Sequence, residues 1–352
     1  MVSPLCWGLG HAARCIPIIQ ELLTNGCQVI IAAEDGCYSF LRSEFPALAF
    51  LDPPAYRIQY SIKSSLLKWK LLAQIPSIIK TINKEHKWLK MIINDYDIDL
   101  VISDNRFGMH TKEVPCIYIT HQLQIKTGNS FTESILKLLH NSIIKKFTQC
   151  WVPDDEKNGI AGELSHPANL PSNVRYIGPI SRFENKQEDK LYDLLIILSG
   201  PEPQRTLLEN ILIKELQSYK GKSVLIRGTQ ENTISINNSV EVINIANAVQ
   251  LNQLILQSET VLSRCGYTTV MDLIKLKKKA ILIPTPGQTE QEYLGKYLMQ
   301  KGILFCCSQE TFSLSHALEQ LQKTNLSFPQ YDWNKYKKTI QHITHNTQPT
   351  TQ

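Results

Sequence analysis

Short apolar runs alternate along this chain with longer stretches in which apolar residues recur every three or four positions. The runs predict β-strands, and the longer stretches predict amphipathic helices. Strands that alternate with helices are typical of parallel α/β architecture, so we expect two doubly wound parallel sheets. The predicted strands are residues 2–6, 27–33, 99–103 and 114–120 in the first half, and 193–198, 222–227, 240–243, 260–263 and 279–284 in the second.

The length of the chain, 352 residues, is large for a single core and predicts two domains. The polar segment 181–190 has no periodicity and is interpreted as the interdomain linker. We therefore predict Rossmann-like domains at 1–182 and 191–330 that face a central cleft, followed by a helix at 331–345. The first strand begins so close to residue 1 that the sequence leaves open whether its N-terminus is truncated.

Composition narrows the class of protein. A hydrophobic content of 43% with 20% charged residues is ordinary for a soluble globular protein. No apolar run reaches the roughly 20 residues that cross a bilayer, and the N-terminus does not resemble a signal peptide. The nine cysteines lack the paired spacing of zinc sites and indicate reduced thiols. We expect a cytoplasmic protein without a structural metal or a cofactor.

The segment 62–93 is both basic and amphipathic. From residue 61 to residue 90 it has seven lysines and one glutamate, within a chain of net charge +5. One interpretation is a peripheral contact with an anionic membrane surface. The other is a pair of helices packed on the sheet, with solvated lysines. Nucleic-acid binding is not expected, because no base-stacking platform or recognition motif accompanies the lysines.

The first loop, residues 7–14, combines two glycines with a histidine. Gly8 and Gly10 permit a tight turn and close backbone approach to a ligand. His11 follows at the start of the first helix, where an imidazole is suited to remove a proton from a hydroxyl. The alternative is a histidine that only hydrogen-bonds the loop. The loop also matches a dinucleotide-binding fingerprint, with acids at Glu34 and Asp35 in the ribose-binding position.

Three further candidates lie at strand ends of the same half. Asp104 ends the strand at 99–103 and either orients the His11 imidazole or forms a turn or helix cap. His121 follows the strand at 114–120 and either contacts substrate or closes the strand end. We assign acceptor contacts to His121 and Asn105.

In the second half, two loops carry the small and hydroxylated residues that suit a phosphate. Ser199 and Gly200 close a strand, so their amides either face a diphosphate or form a plain βα turn. Gly266 is expected to adopt the left-handed backbone that turns amides toward phosphate. Thr268 and Thr269 supply hydroxyls, although either could serve only as a helix N-cap.

Acidic and amide side chains follow these loops. Asp272 lies one turn into a helix, where it either reaches ribose hydroxyls or is favoured by the helix dipole alone. Thr289 and Glu292 fit a capping box, so Glu292 has a structural interpretation. Gln291 has no such local role, and its amide can bind sugar hydroxyls, as can that of Gln288. The stretch 263–293 therefore predicts a nucleotide-sugar site.

Together these residues resemble glycosyltransferase family 28 and its relatives of GT-B fold. The resemblance covers most of the chain and is strongest at 254–302. Gly10-His11 is similar to the family's Gly-His loop, and Thr120-His121-Gln122 to its His-Glu-Gln segment. The resemblance implies two facing Rossmann-like domains and a C-terminal helix that crosses back to the first one.

The donor side of the resemblance is residue-specific. The segment 263–272 is similar to the family's Arg-Ser-Gly loop, with Asp272 where the family has a ribose-binding Glu. Gln291-Glu292 falls where the family has paired glutamines on the sugar, and 244–251 corresponds to the uracil contact. Cys265 replaces a Ser and Glu292 a Gln, and the pairing of His11 with Asp104 fits other GT-B transferases better than the family's peptidoglycan enzyme. These departures leave the sugar open, N-acetylglucosamine included.

The resemblance implies an inverting, metal-independent hexosyltransferase. It would move a hexose or N-acetylhexosamine from a UDP-sugar to a hydroxyl acceptor, with a lipid-linked or cell-envelope glycan among the candidates and the inner membrane face as a candidate location. Two alternatives stay open. The loop 8–15 is also similar to a UDP-sugar hydrolase of pseudaminic acid synthesis, in which the histidine activates water, and a non-catalytic nucleotide-sugar-binding protein is the third hypothesis. The predicted donor contacts are Gly10, Ser199, Gly200, Arg264, Gly266, Thr268, Thr269, Asp272, Gln288, Gln291 and Glu292.

Overall fold

The computed structural model describes residues 1–56, 74–229 and 234–347. Within them the chain forms two compact units. The first comprises 1–56, 74–181 and 331–347, and the second comprises 182–229 and 234–330. The N-terminal part of the basic segment predicted at 62–93 falls in 57–73 and lies outside the described residues.

The first unit contains a seven-stranded parallel sheet in the order β3-β2-β1-β4-β5-β6-β7. Central strands of such a sheet are covered on both faces, which explains why every residue of the three central strands is buried. The strands are β1 (Val2–Pro4), β2 (Ile30–Ala32), β3 (Ala49–Leu51), β4 (Val101–Asp104), β5 (Cys116–Ile119), β6 (Gln149–Val152) and β7 (Val174–Tyr176). The described helices are α1 (Leu9–Thr24), α2 (Asp35–Glu44), α3 (Ile75–Asp95), α4 (Ser130–Ile144) and a short 3₁₀ helix (Gly162–Leu164), joined by the C-terminal helix defined below.

The second unit contains a six-stranded parallel sheet in the order β10-β9-β8-β11-β12-β13. Its strands are β8 (Tyr192–Ile197), β9 (Ser223–Ile226), β10 (Val240–Ile243), β11 (Ser258–Arg264), β12 (Ala280–Ile283) and β13 (Phe305–Cys306). Its described helices are α5 (Gln204–Ser218), α6 (Ala248–Gln257), α7 (Tyr267–Lys275), α8 (Thr289–Gln300) and α9 (Leu314–Lys323).

All nine predicted strands are present, with ends that differ from the predicted ones by at most three residues. The prediction missed β3, β6, β7 and β13. These strands have two to four residues and lie toward the outer part of each sheet. Their short apolar runs give little periodicity to detect.

The last helix, α10 (Lys335–Thr347), belongs to the first unit although it follows the second in sequence. Tyr336 and Ile340 are buried in the same apolar cluster as Ile16 and Ile19 of α1. Each such aliphatic side chain contributes about 2 kcal/mol when fully buried. This packing stabilises α1, the helix on which His11 lies.

The described part of the predicted basic segment is a helix packed on the sheet. In α3, Leu89, Ile92 and Ile93 are buried in a cluster with residues of β4, β5 and β6. For this portion the structure therefore agrees with the interpretation of a core-packed helix. In the described part of the chain no helix has both the length and the apolarity to cross a membrane.

Candidate active site

His11 lies at the carboxyl edge of the first sheet, in the first turn of α1. The helix begins at Leu9, directly after the loop that leaves β1. Gly8 precedes it with φ +103, and a Cβ there would meet nothing within 4 Å. The positive φ therefore explains the glycine, because an L side chain at that φ would strain the backbone. No side chain caps this helix start and its first turn has no acid.

His11 and Asp104 form a direct pair. His11 Nδ1 lies 2.7 Å from Asp104 Oδ1. The Asp104 side chain is fully buried, whereas the imidazole is 17% exposed. A carboxylate can only accept here, so Nδ1 carries the hydrogen and donates it. Nε2 is then left with a lone pair, as a general base requires.

Asp104 also has two other partners, which the prediction missed. Arg14 Nε donates to Asp104 Oδ2 at 2.8 Å and Nη2 donates to Oδ1. Cys15 Sγ lies 3.8 Å from Oδ2. Burial by itself raises the pKa of Asp104, but the charges and hydrogen bonds of Arg14 and His11 outweigh it and hold that pKa well below its ordinary value. Asp104 is thus a fixed negative charge at neutral pH.

The two residues predicted to contact the acceptor lie beside this pair. His121 is buried, with Nδ1 3.2 Å from Arg14 Nη1. Asn105 has φ +60, and its Oδ1 accepts a hydrogen bond from the Tyr118 hydroxyl at 2.8 Å. Their acceptor contacts remain predictions. We call His11, Arg14, Cys15, Asp104 and His121 the His11 cluster.

A second buried charge network in this unit includes Glu34, one of the two acids at the ribose-binding position of the dinucleotide fingerprint. Glu34 accepts a hydrogen bond from Arg106 Nη1 at 2.9 Å, and Arg106 Nε donates to Glu85 at 2.7 Å. Glu85 also accepts from the Tyr56 hydroxyl at 2.5 Å and the Gly108 amide at 2.9 Å. Burial raises the pKa of both glutamates despite Arg106. The only sequence signal for Arg106 is its position after β4.

In the second unit the predicted donor loops converge on one edge of the sheet. β8, β11 and β12 are neighbouring parallel strands, so their carboxyl ends lie side by side. Ser199-Gly200 leaves β8, Gly266 follows β11, and the loop 284–288 follows β12. Gly200 has φ +102 and open space where a Cβ would lie. We call this set the second-unit loop edge.

The predicted backbone of Gly266 is wrong. Its φ is −78, an extended conformation, and it is the N-cap of α7. Thr268 and Thr269 lie inside α7, so neither is the N-cap. Open space surrounds the position where a Cβ of Gly266 would lie. Asp272 is buried and lies in the second helical turn.

Arg264 has contacts that join elements of its own unit. Its Nη2 donates to the carbonyl of Gln204 at 2.7 Å, and Nη1 lies 3.4 Å from the carbonyls of Ile283 and Pro284. Burial lowers the pKa of the guanidinium to about 10. These contacts tie the ends of β11 and β12 to the start of α5, and a donor contact by Arg264 stays a prediction.

The amide and acidic residues of α8 brace the preceding loop. Gln291 Oε1 accepts from the Thr285 amide at 2.9 Å, and its Nε2 donates to Gln288 Oε1 at 2.5 Å. The expectation that Gln291 has no local role is therefore wrong. The predicted capping box is wrong too, because the N-cap is Gln288 and Glu292 accepts from the Gly287 amide at 2.7 Å.

Comparisons with known proteins agree with the predicted resemblance to glycosyltransferases. Residues 203–346 match the glycosyltransferase family 28 C-terminal domain. No curated protein matches the sequence. The fold is similar to that of the spinosyn rhamnosyltransferase SpnG complexed with thymidine diphosphate (TM-score 0.62, 13% identity, 98% of this chain and 95% of that one).

Two other solved structures have the same fold. SnogD from Streptomyces nogalater is a glycosyltransferase with a TM-score of 0.61 and 12% identity over 99% of this chain and 98% of that one. Acinetobacter baumannii MurG has a TM-score of 0.54 and 12% identity over 99% and 96%. The predicted GT-B fold and the resemblance to glycosyltransferase family 28 are confirmed, and together they support a glycosyltransferase.

A metal-binding cluster is not found in the part of the chain that the structure describes. There, no group of three or more histidine, cysteine, aspartate or glutamate side chains has an arrangement that could hold a metal ion. The nine cysteines are free thiols.

Proposed function

We propose that this protein transfers a hexosyl or N-acetylhexosaminyl group from a UDP-sugar to a hydroxyl acceptor, with inversion and without a metal ion. The observation that carries the proposal is the buried Asp104 carboxylate 2.7 Å from Nδ1 of the partly exposed His11. A fixed negative charge behind an imidazole stabilises the cation that forms when the imidazole accepts a proton.

The chemistry follows from this pair. His11 Nε2 takes the proton of the acceptor hydroxyl while its oxygen attacks the anomeric carbon opposite the leaving group. The bond between the anomeric carbon and the diphosphate oxygen breaks, and UDP leaves with the bonding electron pair. One displacement inverts the anomeric configuration. Asp104 stays ionised and stabilises the imidazolium until the proton passes to solvent.

The second-unit loop edge supplies the donor site in this proposal. The start of α7 and the amides around Gly200 offer positive ends of dipoles to the diphosphate, which replaces the charge of a metal ion. SpnG, whose fold is similar, has been solved with thymidine diphosphate. Uridine is favoured here by the match of residues 203–346 to family 28. Ser199, Thr268, Thr269, Gln288 and Gln291 are the polar contacts proposed for the donor.

Asp272→Ala should weaken UDP binding about 10- to 150-fold, because a hydrogen bond from a hydroxyl to a charged group contributes roughly 1.5–3 kcal/mol. Isothermal titration with UDP and with thymidine diphosphate measures the effect. The ribose assignment predicts a smaller loss for thymidine diphosphate, which lacks the 2′-hydroxyl. Equal losses for both nucleotides, or none, would reject it. Asp193→Ala, at the opposite end of the same sheet, is the matched control.

A panel of nucleotide sugars tests the proposed reaction. The protein is incubated with each UDP- or thymidine-diphosphate-linked sugar, with and without a membrane extract. Release of UDP that depends on the extract supports transfer from a UDP-sugar. Release of thymidine diphosphate alone would show that the donor nucleotide is thymidine diphosphate and not UDP. Binding without turnover would indicate a nucleotide-sugar-binding protein.

Hydrolysis is the second candidate, and one observation favours it. In the loop that resembles the pseudaminic-pathway hydrolase, both Arg14 and Cys15 contact Asp104. His11 would then deprotonate water instead of an acceptor. Release of free sugar or sugar phosphate without any extract would support this reaction and contradict transfer.

A peripheral membrane contact is part of the proposal, and the exposed face of helix α4 supports it. Four apolar side chains of α4 are exposed: Phe131 (73%), Ile135 (43%), Leu138 (69%) and Leu139 (58%). Lys137, Lys145 and Lys146 lie on or directly after the helix. An apolar face flanked by lysines is typical of helices that lie on anionic bilayers.

Leu138→Ser together with Leu139→Ser should lower binding to vesicles that contain anionic lipid by about tenfold or more, since each buried leucine contributes above 1 kcal/mol. Co-sedimentation measures the bound fraction. Val249→Ser with Leu207→Ser removes exposed apolar side chains of the second unit and is the matched control. Equal losses in both double variants, or none in either, would contradict a contact through α4.

A further inference from the structure

Arg14 occupies a central position in the His11 cluster. Its side chain is almost fully buried, one helical turn after His11 on the same face of α1. Nε and Nη2 hold both oxygens of Asp104, and Nη1 lies 3.2 Å from His121 Nδ1. Nη2 lies 3.1 Å from His11 Nδ1 as well. One guanidinium therefore touches the carboxylate and both imidazoles.

These contacts fix the hydrogens of the two histidines. A guanidinium has donors and no acceptor, so His121 Nδ1 must accept and its hydrogen lies on Nε2. His11 Nδ1 is closer to the Asp104 carboxylate (2.7 Å) than to Arg14 (3.1 Å), so it donates to the carboxylate. The two imidazoles are thus held in opposite tautomers, that of His11 by Asp104 and that of His121 by Arg14.

Arg14 also opposes the charge that forms on His11. Asp104 attracts an imidazolium at position 11, whereas the guanidinium beside Nδ1 repels it and shares the same carboxylate. We propose that Arg14 is a positioning residue that holds Asp104 in place and opposes protonation of His11. Only the effect of Arg14 on turnover rests on the proposed function, because the contacts of Arg14 exist without substrate. Among the described residues, His11, Arg14, Cys15 and Tyr118 face Asp104, Arg14 also lies beside His11 Nδ1, and His121 faces Arg14.

Histidine titration by NMR tests the proposal without any substrate. Protein with labelled histidine rings is titrated, and the His11 resonance is assigned by its loss in His11→Asn. In Arg14→Met the His11 midpoint should rise by about one to three pH units, because Asp104 then acts on the imidazole unopposed. Arg14→Lys retains the positive charge and should show less than half of this rise. An unchanged midpoint in Arg14→Met would leave Arg14 a merely structural role and overturn the proposal.

A second comparison covers the case in which Arg14→Met does not fold. Asp104→Asn and the double variant Arg14→Met/Asp104→Asn both lack the carboxylate and differ only in Arg14. The His11 midpoint should be higher in the double variant, since the repelling charge is gone. Equal midpoints would overturn the proposal.

Turnover gives an independent check. The acid limb of the rate–pH profile should move to higher pH in Arg14→Met and recover in Arg14→Lys, whereas a structural defect would lower the rate without moving the limb. If the titration shift is found and no sugar is transferred, the proposed function fails and the role of Arg14 stands.

Discussion

His11→Ala is expected to lower sugar transfer by about 100- to 10,000-fold while the affinity for UDP stays unchanged, since general base catalysis contributes a factor of this size. The physical reason is the proton of the acceptor hydroxyl, which has no comparable acceptor once the imidazole is removed. UDP affinity should not change because the side chains proposed to contact UDP lie in the second unit. Steady-state rates and isothermal titration on the same preparations measure both quantities.

His316→Ala is the matched control, because His316 is an exposed histidine of the second unit outside the proposed site. It should retain full activity. A His11→Ala enzyme that turns over at the normal rate would exclude His11 as the base. A parallel loss of UDP binding would indicate that His11 acts on the donor instead.

Arg106→Leu is expected to lower the free energy of unfolding by about 3–5 kcal/mol, because it leaves two buried glutamates without their cation. Glu34 and Glu85 both pair with Arg106, and Glu85 is fully buried. Urea unfolding monitored by circular dichroism measures the loss. Arg175→Leu removes an exposed arginine that donates to the backbone carbonyls of Ser172 and Val174, and it should change stability by no more than about 0.5 kcal/mol.

The pH dependence of this loss has a definite sign. Burial raises the pKa of Glu34 and Glu85 in the folded protein, so the folded state binds protons more readily than the unfolded state. The free-energy cost of burying the two ionised glutamates is therefore largest above the raised pKa values, and it falls as the pH decreases through them. The stability that Arg106→Leu loses relative to the native protein should shrink as the pH is lowered toward about 4.3, the pKa of a glutamate in the unfolded chain. A deficit that grows in the same range would contradict the assignment.

The contribution of Asp104 to stability has the opposite pH dependence, and it changes at lower pH. Its pKa lies below the ordinary value because Arg14 and His11 stabilise the carboxylate against burial. The stability that it contributes is present above the unfolded value of about 3.9 and is lost as pH falls below it. The two carboxylate networks of the first unit thus respond differently to acid.

The sequence pattern was sufficient for the strands that form the centre of each sheet. An uninterrupted apolar run such as 194–198 indicates a buried strand, and parallel strands bring their carboxyl ends to one edge. From the sequence alone, this rule predicts that His11 and Asp104 lie at the same edge of the first sheet. Short outer strands such as β13 have too few residues for a period to appear.

Side-chain partners across long separations were not predictable. Arg14 and Asp104 are 90 positions apart and meet only because β1 and β4 are paired. Local rules also failed where tertiary contacts compete with them. Glu292 binds the Gly287 amide in place of a capping box, and Gly266 caps α7 with an ordinary backbone where a left-handed one was expected.

One measurement tests the central claim, that the protein transfers a sugar to an acceptor hydroxyl that His11 deprotonates. The donor found with the nucleotide panel is incubated with membrane extract in water enriched in ¹⁸O, and the products are analysed by mass spectrometry for the native protein and for His11→Ala. We expect UDP and a glycosylated acceptor without ¹⁸O at the anomeric carbon, and neither product above background for His11→Ala. Free sugar that carries ¹⁸O at the anomeric carbon, or products that persist in His11→Ala, would contradict it.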